Sequence, residues 1–220
     1  MRALNLLSEE IPPLLHTDSG SKAMLWMDEF KVSHLPVLKH GNFVGLISES
    51  AILDHLNLDE SLDSLFQHLP RPYVLDSAHL YDILLKMSHE KLTVLPILSE
   101  KEEYLGCVSV YSVMSEISNF GSLREPGGIL VLEINAIDYS LAQMAQIVES
   151  NQCKILSAYI TSHENSSITE VTLKINNSNL SSIIRTFERY DYNVKAAYQD
   201  KDAEDDLRTR FETLMHFMKF

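Results

Sequence analysis

The first half of the chain repeats itself, and that constrains its fold more than any other feature. Leu35-Pro36-Val37-Leu38 returns as Leu95-Pro96-Ile97-Leu98 at an offset of 60 residues. The same offset aligns Pro12 with Pro72, Thr17 with Ser77, Met27 with Met87, Lys31 with Lys91 and Ser33 with Thr93. After the Leu-Pro element the second copy carries one extra residue, and Gly45-Leu46-Ile47-Ser48 then matches Gly106-Cys107-Val108-Ser109. A whole unit repeating in the same order is a signal of duplication.

Each copy has the same local pattern. A proline and an extended apolar segment come first, at Ile11–Leu15 and Pro72–Leu75. Asp18-Ser19 and Ser77 are cap signals ahead of two helical patterns. The first helix is predicted over Ser21–Lys31, with Ala23, Met27 and Phe30 on one face. The second is predicted over His79–Glu90, with Ile83, Leu84 and Met87 inward. A short strand through the Leu-Pro element, a turn and a second strand follow (Phe43–Ser48, Tyr104–Val110), then a closing helix near Ser50 or Ser112. Pro36 and Pro96 are expected at a strand start or on an edge, because proline donates no ladder bond. Leu62, Leu65, Phe66 and Leu69 stand at helical spacing in the linker.

This β-α-β-β-α unit, twice over, resembles the CBS domain pair, or Bateman module. The h-P-h element after the first helix and the Gly-h-h-Ser step before the second carry the resemblance. It implies one copy at residues 6–58 and another at 59–119, the latter including a linker helix.

Residues 120–128 hold Gly121, Pro126, Gly127 and Gly128, a cluster of breakers that reads as a domain boundary. Beyond it, Ile129–Ile134 is a β-rich run. Tyr139–Glu149 is helical, with Leu141, Met144, Ala145 and Val148 on one face. Lys154–Thr161 is a strand. Val171, Leu173 and Ile175 alternate with polar residues, as in a half-buried strand. Leu180, Ile183, Ile184 and Phe187 mark a helix, and Asn193–Tyr198 closes as a strand. The order β-α-β-β-α-β over residues 129–199 is ferredoxin-like. After a CBS pair it resembles an ACT domain, and the whole order is similar to the acetoin-utilisation B-type proteins. The expected class is α/β (α+β). Residues 200–220 combine an acidic start with Leu207, Phe211, Leu214, Met215 and Met218 on one helical stripe.

Charge narrows the function. The 220 residues carry 31 Asp and Glu against 18 Lys and Arg, a net charge of −13. Such a chain repels phosphate backbones, which argues against nucleic acid and anionic membranes as partners. Two cysteines supply neither a disulfide framework nor a four-thiolate zinc site. The nine histidines form no H-x-x-x-H or H-E-x-x-H spacing, so no metal site is expected. No apolar run reaches transmembrane length, and Met1–Leu7 lacks a signal-peptide core, so a cytoplasmic location is expected. G-x-S-x-G, P-loop and G-x-G-x-x-G signatures are missing, and a non-enzymatic role is the expectation.

The resemblance supplies candidate site residues. In CBS modules that bind adenine nucleotides, a Ser or Thr after the Gly-h-h step and an Asp three residues later contact phosphate and ribose. Ser48 and Ser109 fill the first position; Ala51 and Ser112 stand where the Asp belongs. Main-chain groups around Leu35 and Val37, and around Leu95 and Ile97, then have to read the base. The competing reading makes Ser48 and Ser109 helix caps or strand ends. In amino-acid-binding ACT domains the first β–α turn carries an Asp and then a Gly. Here Asp138 fits and Ser140 replaces the glycine, so an effector site and an ordinary cap both remain open. The module implied is a regulatory sensor without a resident cofactor. It forms a homodimer or higher homo-oligomer, takes an adenine nucleotide or another small effector, and acts on an unknown regulated protein. The alternative is a purely structural interaction module with vestigial clefts.

Overall fold

A computed structural model of the chain describes residues 1–8, 10–55, 57–64, 68–119, 123–162 and 167–199. The expected amphipathic segment 200–220 lies outside the described residues, as do Leu65 and Phe66 of the linker. The chain divides into two compact units, Met1–Ile117 and Ser118–Phe220.

In the first unit, β1 (Leu14–Leu15), α1 (Gly20–Phe30), β2 (His34–Lys39), β3 (Asn42–Ser48) and α2 (Glu49–His55) form one copy. The second copy is β4 (Val74–Leu75), α3 (Leu80–Glu90), β5 (Val94–Leu98), β6 (Tyr104–Ser109) and α4 (Val110–Ile117). Each makes a three-stranded sheet, β1-β2-β3 and β4-β5-β6, with one parallel and one antiparallel pairing. The registers repeat too: Leu14 pairs with Val37, and Val74 with Ile97.

Local chemistry accounts for the element ends. Ser19 accepts the Lys22 N–H at 3.3 Å and starts α1. Lys31 and Lys91, both at φ 54°, close α1 and α3 in the left-handed conformation and donate back to Met27 and Met87 carbonyls. The cap of α3 is His79, not Ser77. Its Nδ1 accepts the Tyr81 N–H at 3.2 Å, and Asp82 accepts the His79 N–H at 3.0 Å. An imidazole nitrogen is a good acceptor, yet histidine is not among the usual cap signals. His40 and Gly41, at φ 51° and 83°, make the two-residue turn between β2 and β3.

Pro36 and Pro96 lie inside the middle strands of their sheets, against expectation. The ladder tolerates them because β1 pairs only with Val37 and Leu38, and β4 only with Ile97 and Leu98. The described part of the linker holds a 3-10 turn at Leu62–Ser64; the expected helix also takes in Leu65 and Phe66, which lie outside the described residues. Leu62 is buried in the first copy's core, and Leu69 packs against the same core.

The copies exchange segments. Ala3 and Leu6, ahead of β1, pack in the core of the second copy with Leu80, Ile83 and Leu95. Ser8 N–H donates to the Cys107 carbonyl, and Leu46 N–H donates to the Pro70 carbonyl, both at 2.8 Å. These crossings explain the glycine of each Gly-h-h-Ser step. A Cβ on Gly45 would lie 2.6 Å from Leu69 Cβ and 2.9 Å from the Pro70 carbonyl oxygen. One on Gly106, at φ 143°, would lie 2.8 Å from Leu7 Cδ2. At the hairpin ends Leu38, Phe43 and Leu98 form a small shared core, with Phe43 stacked on Tyr104 at 6.1 Å.

The second unit contains β7 (Gly128–Asn135), α5 (Leu141–Ser150), β8 (Ile155–Ser162), β9 (Ile168–Ile175), α6 (Ser181–Arg189) and β10 (Asn193–Tyr198). Its sheet runs β10-β7-β9-β8, antiparallel throughout, the ferredoxin-like order. Alternate residues Leu130, Leu132, Ile134, Val171, Leu173 and Ile175 meet Met144, Ile147, Val148, Ile183 and Phe187 from the helices. The inward face of α5 is Met144, Ile147 and Val148; Leu141, expected inside, is 43% exposed because it sits at the first helical position, ahead of the packed turn.

Candidate functional site

Two strand-to-helix steps in the first unit carry the expected serines. Ser48 ends β3, and its Oγ accepts the Ala51 N–H at 3.1 Å. Ser109 ends β6, and its Oγ accepts the Ser112 N–H at 3.1 Å. Ser112 returns the bond: its Oγ accepts the Ser109 N–H at 3.0 Å and donates to the Ser109 carbonyl at 2.9 Å. This is the geometry of a capping box, with serine in place of the usual acid. Both serine hydroxyls are thus engaged with helix starts. Where a carboxylate would face a ribose, there is a methyl group in one copy and an internally bonded hydroxyl in the other.

The side chains of Leu35, Val37, Leu95 and Ile97 are fully buried. Only main chain is available there, and the two members of each pair differ. Val37 is flanked by Leu14 on one side and Gly45 on the other, and Ile97 by Val74 and Gly106. Leu35 and Leu95 precede the short parallel pairing and have a ladder partner on one side, Ile47 and Val108 respectively.

The structure joins the copies beside these steps through residues that sequence reading aligned without assigning a role. Ser33 N–H donates to Thr93 Oγ1 at 2.9 Å. Thr93 N–H donates to His34 Nδ1 at 3.3 Å, and Thr93 Oγ1 lies 3.0 Å from that nitrogen. Ser33 and Thr93 are equivalent by the repeat, so this contact marks the pseudo-two-fold. Glu49 N–H donates to the Ser33 carbonyl and Val110 N–H to the Thr93 carbonyl, both at 3.0 Å, which ties each helix start to the seam. Burial holds His34 below its ordinary pKa, because the imidazolium is the form that loses hydration. The offset pairing of 33 with 93 was the available signal; nothing local in the sequence marks His34.

A cleft of about 500 Å³ opens at the β2–β3 hairpin end, lined by Lys39, His40, Phe43 and Arg71 among others. Arg71 donates to the Phe43 carbonyl at 3.2 Å and lies 3.9 Å from Glu102. It is separate from the serine steps, and it escaped sequence reading because the linker supplies Arg71. Cys107 is fully buried, 3.8 Å from the Ile11 carbonyl oxygen, and burial pushes its thiol up to about 11.

In the second unit the two expected residues part company. Ser140 caps α5 by accepting the Gln143 N–H at 3.3 Å. Asp138 lies in a 3-10 turn (Ala136–Asp138) and lines a cleft of about 450 Å³ with Asn135, Gln143, Tyr190 and Tyr192. Asn135 Nδ2 donates to Asp138 at 3.3 Å, and Tyr192 OH donates to Gln143 Oε1 at 2.7 Å. Burial, and secondarily the charge of Asp138, raise the Tyr192 hydroxyl above its ordinary pKa. Among the described residues, no cluster of His, Cys, Asp and Glu is arranged to hold a metal ion. No described helix is long and apolar enough to cross a membrane.

Residues 8–58 match the CBS domain family. Among solved structures, the chain is similar to a CBS domain pair/ACT domain protein from Thermotoga maritima. That match has 20% identity and a TM-score of 0.47, and covers 54% of this chain and 98% of that one. It is similar to a protein assigned to acetoin utilization from Vibrio cholerae, with 18% identity, a TM-score of 0.49, and 56% and 95% coverage. It is also similar to the CBS domains of a transcriptional regulator from Streptococcus pneumoniae, with 19% identity, a TM-score of 0.45, and 52% and 98% coverage. The first copy thus matches the CBS domain family, and the second copy repeats that copy's elements and registers.

Proposed function

We propose that this chain is a non-catalytic regulatory protein. In this reading its CBS pair senses a small ligand and its ferredoxin-like unit acts as an ACT-like partner domain in a homo-oligomer. The observation that carries it is the seam Ser33–His34–Thr93, which ties the starts of both closing helices to one point between the copies. A ligand held at either serine step biases that seam by its differential affinity for two packings, and the bias reaches the other copy. An adenine nucleotide is the first candidate by resemblance. It binds here through main chain near Leu35 and Leu95, with weak affinity, since neither Ala51 nor Ser112 offers a carboxylate to the ribose. Asp138 contributes to a separate effector cleft in the second unit.

The engagement of Ser48, Ser109 and Ser140 in helix caps favours a second reading, in which the clefts are vestigial and the module is structural. Thermal unfolding against a panel of AMP, ATP and amino acids separates the two, because a bound ligand raises stability by RT ln(1 + [L]/Kd). A ligand-dependent rise supports the sensor, and a flat response across the panel supports the structural module. Light scattering tests the assembly, and a monomer of 25.0 kDa would refute it.

A further inference from the structure

The cleft at the β2–β3 hairpin end gathers cations in a chain of net charge −13. Lys39, His40, Asn42 and Arg71 line it, Phe43 and Leu69 give it an apolar wall, and no described acid lines it. Arg71 is anchored there. Its bond to the Phe43 carbonyl at 3.2 Å is its one hydrogen bond to a described residue, and the guanidinium carbon lies 5.7 Å from the centre of the Phe43 ring. Glu102 stands 3.9 Å from Arg71, too far for a hydrogen bond. Both side chains are exposed, and such a pair contributes little. The His40 ring meets His16 edge-on at 5.7 Å, and His16 Nδ1 in turn holds Asp63 at 2.8 Å. The repeat supplies an internal comparison. At the offset of 60, Lys39 corresponds to Ser99 and Arg71 to Ile11. The second hairpin carries Glu100, Glu102 and Glu103 around Lys101. The fold thus builds the same antiparallel pair, β5–β6, without these cations.

We propose that this cleft binds a small phosphomonoester with an apolar or aromatic body. The guanidinium fork of Arg71 offers paired N–H donors to two phosphate oxygens. Lys39 adds a second positive charge to the same field, so the set matches a doubly charged phosphate better than a singly charged carboxylate. Asn42 adds an amide donor, and Phe43 and Leu69 receive the ester's body. The cleft's volume of about 500 Å³ suits a small molecule. At physiological ionic strength charges are screened over about 8 Å, so the local cations govern a small anion. An extended polyanion meets the acidic remainder of the chain and is repelled. Ser48 ends β3 six residues beyond Asn42, about 20 Å along the strand. The site is therefore distinct from a ribose seat at the serine steps and stands whether or not those steps bind nucleotide.

Calorimetric titration of the full chain with phenyl phosphate, inorganic phosphate and benzoate tests this. Phenyl phosphate should bind more tightly than either of the others, because only it supplies both the dianion and the ring. Arg71→Gln should weaken its binding about ten-fold or more, the loss of a charge-assisted hydrogen bond. Glu102→Gln should tighten it about two- to five-fold by removing an exposed like charge. That gain keeps the test valid if Arg71→Gln loosens the linker, since Glu102→Gln breaks no bond to main chain. Absence of phenyl phosphate binding, or an affinity unmoved by Glu102→Gln, would overturn the proposal. Inorganic phosphate or benzoate bound as tightly as phenyl phosphate would overturn the ligand class.

Discussion

Replacing Ala51 by Asp separates the two functions open to the start of α2. Ser112, the equivalent residue, accepts the Ser109 N–H at 3.0 Å while Ser109 accepts the Ser112 N–H. In the first copy only half of that exchange exists, the Ala51 N–H to Ser48 bond. An Asp at 51 completes it and adds a negative charge in the first turn. That should stabilise the unliganded protein by about 0.3–1 kcal/mol, somewhat less where Glu49 repels it. The same carboxylate has a second oxygen free to accept from ribose hydroxyls. A charge-assisted bond contributes about 1.5–3 kcal/mol, which is about ten- to a hundred-fold in Kd. The two effects have separate readouts: the melting temperature without ligand reports the cap, and calorimetry with AMP and ATP reports the ribose contact. A variant that melts higher yet binds nucleotide no more tightly would refute a ribose seat at this step. It would leave the serine step a helix cap alone. Ser112→Asp is the matching experiment in the second copy, where the cap already exists and the melting temperature should move less.

Gly45→Ala should destabilise the first unit by about 1–3 kcal/mol. The new methyl meets the Pro70 carbonyl oxygen as well as Leu69; a chemical melt within about 0.5 kcal/mol of wild type would mean the linker yields freely. His34 is held below its ordinary pKa, so the unfolded chain takes up its proton first as pH falls. Stability should therefore be complete above about pH 6.5 and decline below it, levelling once His34 titrates in the folded state. Urea titrations of His34→Asn should lose that part of the slope, and an unaltered slope would contradict the assignment. Cys107, buried with its thiol pushed up to about 11, should resist iodoacetamide in the folded protein at pH 8 and react on unfolding; rapid native labelling at Cys107 would speak against the packing at Ile11.

The sequence by itself determined the features set by near neighbours. The offset between the copies, the apolar periods of α1, α3 and α6, the alternation of β9 and the hairpin at His40-Gly41 all depend on contacts within a few residues. The βαββαβ order followed from them. Tertiary structure decided what depends on distant partners. Pro36 and Pro96 sit in middle strands because β1 and β4 are only two residues long, a length no local pattern encodes. Gly45 and Gly106 are glycines because the linker and the N-terminal segment cross directly over them, from Leu69-Pro70 and Leu7. At the candidate site, the missing acids at 51 and 112 were legible from resemblance alone. The seam that joins His34 to Thr93 was not, because a hydrogen bond across 59 residues of chain exists only once two sheets have packed.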